Sequence, residues 1–188
     1  MAISAYMWFQ DTDGLYLDSE SQVDFSKSAQ GSGIDFPPNS NIFEVESYSV
    51  DITQVLNIGS QSSGAGAGKV TFNPFVITRK TDRASPILYQ MACSGTPFKS
   101  VALVLCKSAG GTTAATVLQK FTFKLVAIKS IAWSSDAEEP KETVTFEYGG
   151  LVIEYWVQSA DGSLGAKVLG GWNRVKNISD NDPASVLI

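Results

Sequence analysis

Alternating apolar and polar positions run through most of this chain, and they predict β-strands. The alternation, or an enrichment in β-branched and aromatic residues, covers residues 43–56, 70–78, 101–106, 120–131, 143–148 and 151–158. One face of the fourth stretch carries Phe121, Phe123, Leu125 and Ala127. Its other face becomes apolar at Val126 and Ile128, which predicts a strand covered on both sides at that end. The pattern as a whole predicts an antiparallel β domain.

A single short helix is predicted after the second strand. Ser85 fits an N-cap, Pro86 fits the first helical position, and Gly95 fits the left-handed residue that ends a helix. The apolar stripe of this helix consists of Ile87, Leu88, Met91 and Ala92. We therefore expect two to three turns that lie against a sheet.

Turn and loop signals divide the remaining chain. Pro74 interrupts its strand and predicts a kink, and the glycine pair at residues 149–150 predicts a tight hairpin. Residues 19–40 and 57–68 are rich in Gly and Ser and predict long loops, which either meet a partner or are mobile surface without a role. Residues 177–188 predict a flexible tail. No linker divides the chain of 188 residues into two halves, so we expect one domain.

Composition excludes several classes of function. The net charge is -5 and no basic cluster is present, which argues against binding of nucleic acid. The sequence contains no histidine, so a Ser-His-Asp arrangement cannot form within one chain. The two cysteines, Cys93 and Cys106, lack zinc-site spacing and are expected to be free thiols. We expect neither a metal nor a cofactor.

The chain also lacks the apolar segments of membrane and secretory proteins. No apolar run has the length that a membrane-spanning helix needs, so we expect no membrane insertion. The first residues, MAISAYMWFQDTDG, have neither a basic opening nor an apolar stretch of signal-peptide length. The chain is therefore expected to fold in the cytoplasm, or to leave by a machine that needs no signal peptide.

Two groups of carboxylates are candidates for a calcium site or an acid-base site. Residues 11–14, Asp-Thr-Asp-Gly, open like a calcium loop but lack its later ligands, so a simple turn explains them better. A second group consists of Asp136, Glu138, Glu139 and Glu142. It could serve acid-base chemistry, but a solvated loop is the better interpretation, because nothing places these groups in a pocket. The glycine-rich residues 64–68 precede a strand, which excludes a phosphate loop.

Three cations precede the predicted helix. Arg79, Lys80 and Arg83 lie where the helix dipole disfavours positive charge, and only Asp82 offsets them nearby. A local cost of this kind can mark a binding surface. The alternative is that these long side chains are simply held in water.

Several segments, taken in order, resemble the Hcp family of the type VI secretion system. The main segment is residues 68–95, GKVTFNPFVITRKTDRASPILYQMACSG. It is followed by residues 98–107, by the Pro-Lys-Glu-Thr-Val run at residues 140–144, and by Gly-Gly-Trp-Asn at residues 170–173. The resemblance covers approximately residues 43–177.

The resemblance implies a fold and an assembly. The implied fold is mainly β, a small β-barrel of two packed antiparallel sheets with one short flanking α-helix. Six copies would close into a ring, rings would stack into the inner tube, and the tube would carry effector proteins for ejection. The implied partners are further copies of the chain and the sheath, tip-spike and effector proteins. The chain would be structural rather than enzymatic, made in the bacterial cytoplasm and then secreted.

The resemblance and the two-sided strand together predict interface residues. The candidates for contacts within or between rings are Leu56, Asn57, Ile58, Arg79, Lys80, Arg83, Val126 and Ile128. Two other functions stay open at this point. One is a tail-tube subunit of a phage-type particle, and the other is a small hydrolase or carbohydrate-binding β domain that uses the acidic group near residue 139.

Overall fold

The structure is a computed structural model, and it describes residues 3–25, 32–57, 66–107, 116–135, 139–159 and 163–185. Its strands are β1 (Ile3–Gln10), β2 (Phe43–Val45), β3 (Ser47–Ser49), β4 (Ile52–Asn57), β5 (Gly66–Phe72), β6 (Phe75–Lys80), β7 (Phe98–Lys107), β8 (Thr116–Ser135), β9 (Pro140–Gln158), β10 (Leu164–Asn173) and β11 (Ile178–Ser179). One α-helix, α1 (Ser85–Ser94), and a 3-10 turn (Asn39–Asn41) complete the described elements. The predicted mainly β class with one short helix is confirmed.

All strand pairs are antiparallel and form two sheets. The nine-stranded sheet has the order β11-β10-β9-β8-β7-β1-β2, with β6 paired to both β9 and β3. The second sheet is the hairpin of β4 and β5. Strand β2 pairs with β1, and β3 pairs with β6. The segment that contains β2 and β3 therefore lies between the two sides of the curved sheet, which has the form of a small barrel. The ladder is interrupted at Glu46, whose N–H bonds the Thr78 carbonyl at 2.9 Å.

The inward faces of these strands enclose the main hydrophobic core. Its aromatic centre includes Phe75 and Phe123, whose rings stack at 4.2 Å, and Phe9, which lies 5.0 Å from the Phe98 ring. Leu88 of α1 is fully buried in the same cluster. The helix therefore packs on the flank of the barrel through Leu88 and Met91, whereas Ile87, which belongs to the predicted stripe, is 41% exposed.

Both long strands change their buried face at the same level. Leu125 adopts φ 49°, is exposed, and moves the core position of β8 from Phe123 to Val126. The predicted face that continued through Leu125 and Ala127 is therefore wrong beyond Phe123. The glycine pair of β9 lies opposite, because Lys124 pairs with Gly150.

The predicted hairpin at residues 149–150 is wrong, because β9 is one continuous strand of 19 residues. Gly150 pairs with Lys124 on one side and with Asn173 on the other. The two glycines therefore lie where β9 changes its buried face, and the chain does not reverse its direction there. The break at Pro74 is confirmed, since the chain leaves the hairpin at Phe72 and joins the main sheet at Phe75.

The described parts of the loop at residues 19–40 cover the outer face of the sheet, which corrects the expectation of a loose loop. They add a second apolar cluster formed by Trp8, Phe25, Ile34, Ile42, Ala102, Val104, Cys106, Val117 and Trp156. Trp156 donates its indole N–H to the Ser32 carbonyl at 2.9 Å. Ser19 donates its hydroxyl to the Ile42 carbonyl at 2.6 Å. Apolar residues spaced along a polar segment thus anchor it, while residues 26–31 lie outside the described residues.

The helix begins one residue earlier than predicted. Ala84 is the N-cap, and its N–H bonds the Asp82 carboxylate at 2.9 Å. Ser85 is the first helical residue, and its hydroxyl accepts the Asp82 N–H at 3.1 Å. Gly95 ends the helix at φ 69°, as predicted.

Two further segments are more structured than expected. Asn57 pairs with Gly66, so the loop predicted at residues 57–68 is wrong at residue 57 and at residues 66–68, which are strand; residues 58–65 lie outside the described residues. The tail predicted to be flexible from residue 177 pairs with β10 at Ile178 and Ser179 and is hydrogen-bonded as far as Ser185. Among the described residues, no helix is long and apolar enough to cross a bilayer.

Candidate assembly surface

Six of the eight predicted interface residues have side chains that are buried, half-buried or outside the described part. Val126 is fully buried in the main core, and Ile128 is half-buried against it. Their apolar character therefore serves the packing of this chain, which corrects the expectation that Val126 faces a neighbour. Leu56 and Asn57 lie in β4, but their side chains are outside what the structure describes, as is Ile58 altogether.

Arg79 is also buried, with 2% of its side chain exposed, so it is not a surface cation. Its Nε donates to Glu142 Oε1 at 2.7 Å, and its terminal nitrogens bond the Asp82 carboxylate, the closer pair at 2.5 Å. The second Glu142 oxygen accepts the Trp133 indole N–H at 3.2 Å. This network joins β6, β9 and the start of α1, and it corrects both the predicted surface role of Arg79 and the predicted solvation of Glu142.

The other two predicted cations are exposed and have carboxylate partners. Lys80 pairs with Glu139, which raises the pKa of the Lys80 ammonium through that hydrogen bond. Arg83 pairs with Asp18 at 3.2 Å. Exposed pairs of this kind contribute little free energy, so these two cations stay available to a partner surface.

An apolar groove separates the β4–β5 hairpin from the outer end of the main sheet. Its volume is about 280 Å³. The groove is lined by Val50, Asp51, Ile52, Phe72, Phe121, Leu151, Ile153, Gly170, Gly171 and Trp172. Among these, Ile52, Ile153 and Trp172 have 58%, 36% and 37% of their surface exposed. Large side chains exposed next to one another are typical of surfaces that another protein covers.

The hairpin itself has no third strand among the described residues. Its strands pair only with each other, and Val55 adds a second exposed apolar side chain to β4. A two-stranded hairpin is marginally stable in water without further packing. The hairpin and the groove therefore form one candidate surface, which we call the assembly surface.

Sequence reasoning missed most of the assembly surface because it missed β10. This strand contains Gly165, Gly170 and Gly171, and glycine is depleted in strands. Val168, Gly170 and Trp172 recur at every second position and lie opposite residues of β9. This period of two is the signal that could have identified β10.

The acidic and cysteine side chains of the described residues form no metal site, because they include no cluster that could hold a metal ion. Asp11 accepts the N–H groups of Asp13 and Leu15, so the predicted turn at residues 11–14 is confirmed. Both cysteines are free thiols, as predicted.

Comparison with known proteins places the chain in a family. Residues 29–155 match the model of a family described as type VI secretion system effector, Hcp. The chain belongs to this Hcp family. A search of curated proteins found no match.

Solved structures have the same fold. A type six secretion system protein is 23% identical, with a TM-score of 0.76 and coverage of 95% of this chain and 100% of the other. Hcp1 from Salmonella typhimurium is 23% identical, with a TM-score of 0.68 and coverage of 96% and 100%. A type VI secretion system effector from Yersinia pestis is 16% identical, with a TM-score of 0.60 and coverage of 90% and 98%. At these identities the likeness establishes the Hcp fold alone.

Proposed function

We propose that this Hcp protein forms rings of six copies, and that the rings stack into the inner tube of a type VI secretion apparatus. The tube carries effector proteins and is expelled with them. The protein is structural and catalyses no reaction. The observation that carries this proposal is the assembly surface, an apolar groove beside a hairpin that pairs with no third strand in the described part of the chain.

Closure of a ring requires two different surfaces on each copy, because the contacts are heterologous. The β4–β5 hairpin, whose Ile52 and Val55 are exposed, supplies one surface. The face of β9 and β10 with Tyr155 and Val168, which are 43% and 61% exposed, supplies the other. In the ring, the hairpin of one copy lies against the sheet of the next.

Stacking of rings needs a further contact, which we assign to residues 58–65, between Asn57 and Gly66 in the chain. These two residues are the last described pair of the hairpin. The exposed cations Lys80 and Arg83 are proposed to support contacts with a neighbouring copy. The sheath, the tip-spike and effector proteins are the other proposed partners, with assembly in the bacterial cytoplasm and subsequent secretion.

Electron microscopy of the purified protein tests this proposal. We expect annular particles with sixfold symmetry, and short tubes at high protein concentration. Particles with no ring shape at every concentration would overturn the proposal. The Ile52→Asp variant, which places a charge on the assembly surface, should give few rings at a concentration where the parent forms them.

A further inference from the structure

Lys124 is a buried cation near the middle of β8, with 3% of its side chain exposed. Its ammonium group donates to Asp180 Oδ2 at 3.3 Å, to the Asp182 carbonyl and to the Ser185 hydroxyl. A lysine has three N–H donors, so all of them are satisfied by one short segment of chain.

This segment, residues 178–185, crosses the outer end of the sheet and is called the strap. It begins at β11, where Ser179 pairs with Trp172. The Asp180 N–H then bonds the Gly171 carbonyl at 3.1 Å, and the Gly171 N–H bonds Asn181 Oδ1 at 2.7 Å. From β10 the strap therefore passes over to Lys124 of β8.

The crossing is tight at Gly171. A Cβ atom at this position would collide with the Asp180 carbonyl and would lie 2.8 Å from a methyl group of Val152. Only glycine lets the strap lie directly on β10. Replacing Gly171 by alanine is thus a way to displace the strap without touching Lys124.

The lysine and the strap depend on each other. A buried ammonium group without partners carries a large desolvation cost, so departure of the strap would leave Lys124 unsatisfied. Ser185 donates to Asp180 Oδ2 at 2.6 Å, and this bond together with Lys124 lowers the pKa of the Asp180 carboxyl. The carboxylate therefore stays ionised and keeps its attraction for the ammonium group.

The strap also contacts the strand that forms one wall of the assembly surface. Gly171 and Trp172 line the groove; Gly171 is hydrogen-bonded to the strap through its backbone, and Trp172 lies opposite Ser179 in the ladder of β10 and β11. Along the rest of β10, the described pairs join it to β9 alone. The strap is consequently the second neighbour of β10, which would otherwise be paired with β9 alone among the described strands.

We propose that the strap is a latch, locked by Lys124, that fixes β10 and keeps the assembly surface ready for a neighbouring copy. The holding of β10 stands on the contacts within this chain. The effect on a neighbour rests on the proposed ring. Release of the latch would free the edge of β10 and weaken assembly while the barrel core stays folded.

Hydrogen exchange of the Lys124→Met variant tests the latch without reference to assembly. The amides of Gly171 and Asp180 should exchange at least about tenfold faster than in the parent, because the strap loses its hydrogen bonds to a charged group. Amides of β1 should not change. Unchanged exchange at Gly171 and Asp180, or an equal increase in β1, would overturn the latch.

Lys120→Met is the matched control. Lys120 lies four residues earlier on the same face of β8, and its ion pair is with Glu154 of β9, at 3.7 Å, rather than with the strap. Loss of this lysine should leave exchange at Gly171 and Asp180 as in the parent. If Lys120→Met accelerates it as much as Lys124→Met does, the effect belongs to β8 in general and the latch is wrong.

A second route uses Gly171→Ala, alone and combined with Lys124→Met. Because both changes release the same strap, the double variant should exchange at Asp180 no faster than Gly171→Ala alone. Additive acceleration would contradict a single latch. If Lys124→Met does not fold, Gly171→Ala alone decides the proposal, because faster exchange at Asp180 with β1 unchanged supports the latch and unchanged exchange at Asp180 contradicts it.

Measurement of ring formation then tests the second half of the proposal. The Lys124→Met variant should dissociate at a protein concentration about tenfold higher than the parent, in line with the same loss of support. Rings as stable as those of the parent, despite a released strap, would overturn the link to assembly. A parent without rings would refute the proposed function, while the exchange data would still judge the latch.

Discussion

Arg79 and Glu142 face each other as a cross-strand pair of β6 and β9, and their side chains join inside the fold, Nε to Oε1, at 2.7 Å. Neither side chain has more than 2% of its surface exposed. Asp82 and Trp133 complete the hydrogen bonds of the pair. The start of α1 is therefore tied to the barrel wall by charge as well as by apolar packing.

Glu142→Gln should lower the free energy of unfolding by about 3 kcal/mol, because it leaves Arg79 buried with one anionic partner fewer. Urea unfolding at fixed protein concentration measures this change. The control is Glu139→Gln, at an exposed pair with Lys80, where we expect a loss below about 1 kcal/mol. Equal losses for the two variants would show that burial of the network does not matter.

A charge on the assembly surface should prevent association without harming the fold. Ile52→Asp should raise the dissociation concentration roughly a hundredfold, because a buried unpaired carboxylate costs about 3 kcal/mol or more. Leu15→Asp is the control, since Leu15 is 67% exposed and lies in a turn that is not part of the groove. Sedimentation measures association, and thermal melting checks the fold. The idea fails if both variants associate like the parent.

Residues 58–65, which follow β4 and precede β5 in the chain, should serve the stacking of rings rather than the closure of a ring. Asn57 and Gly66 lie directly opposite, so a two-residue Asn-Gly turn can replace residues 58–65 and still close the hairpin. We expect this variant, like one that shortens the run at residues 64–68, to form rings but few tubes. Electron micrographs with tubes as long as those of the parent would make this segment a simple connector.

The two cysteines should differ in reactivity. Burial raises the pKa of the Cys106 thiol to about 12, so at pH 8 this group is neutral and shielded. Cys93 is exposed. A thiol reagent at pH 8 should modify one cysteine in the folded protein and two after denaturation. Modification of both at similar rates in the folded protein would contradict the buried position of Cys106.

The elements predicted correctly are those whose signal is local. The break at Pro74 and the helix end at Gly95 follow from single residues whose backbone preferences leave few alternatives. The hairpin predicted at residues 149–150 is wrong, because the backbone freedom of glycine that permits a turn also permits a long strand to change its buried face. What decides between them is the pairing with Lys124 and Asn173, which is a tertiary contact.

The assembly surface was harder to predict than the fold. Arg79 and Val126 are buried by residues distant in sequence, so charge and alternation along one strand could not show that they face inward. The groove depends on β10, whose glycines conceal it, and on the position of the hairpin next to Trp172. Such placement arises from packing of the whole chain and has no local sequence signal.

Native mass spectrometry of the purified protein tests the central claim, ring assembly, most directly. The proposed function predicts a dominant particle of six chain masses that persists on dilution through the micromolar range. It also predicts that Ile52→Asp shifts the population to single chains, while Leu15→Asp does not. A parent protein that is monomeric at every concentration would contradict the account.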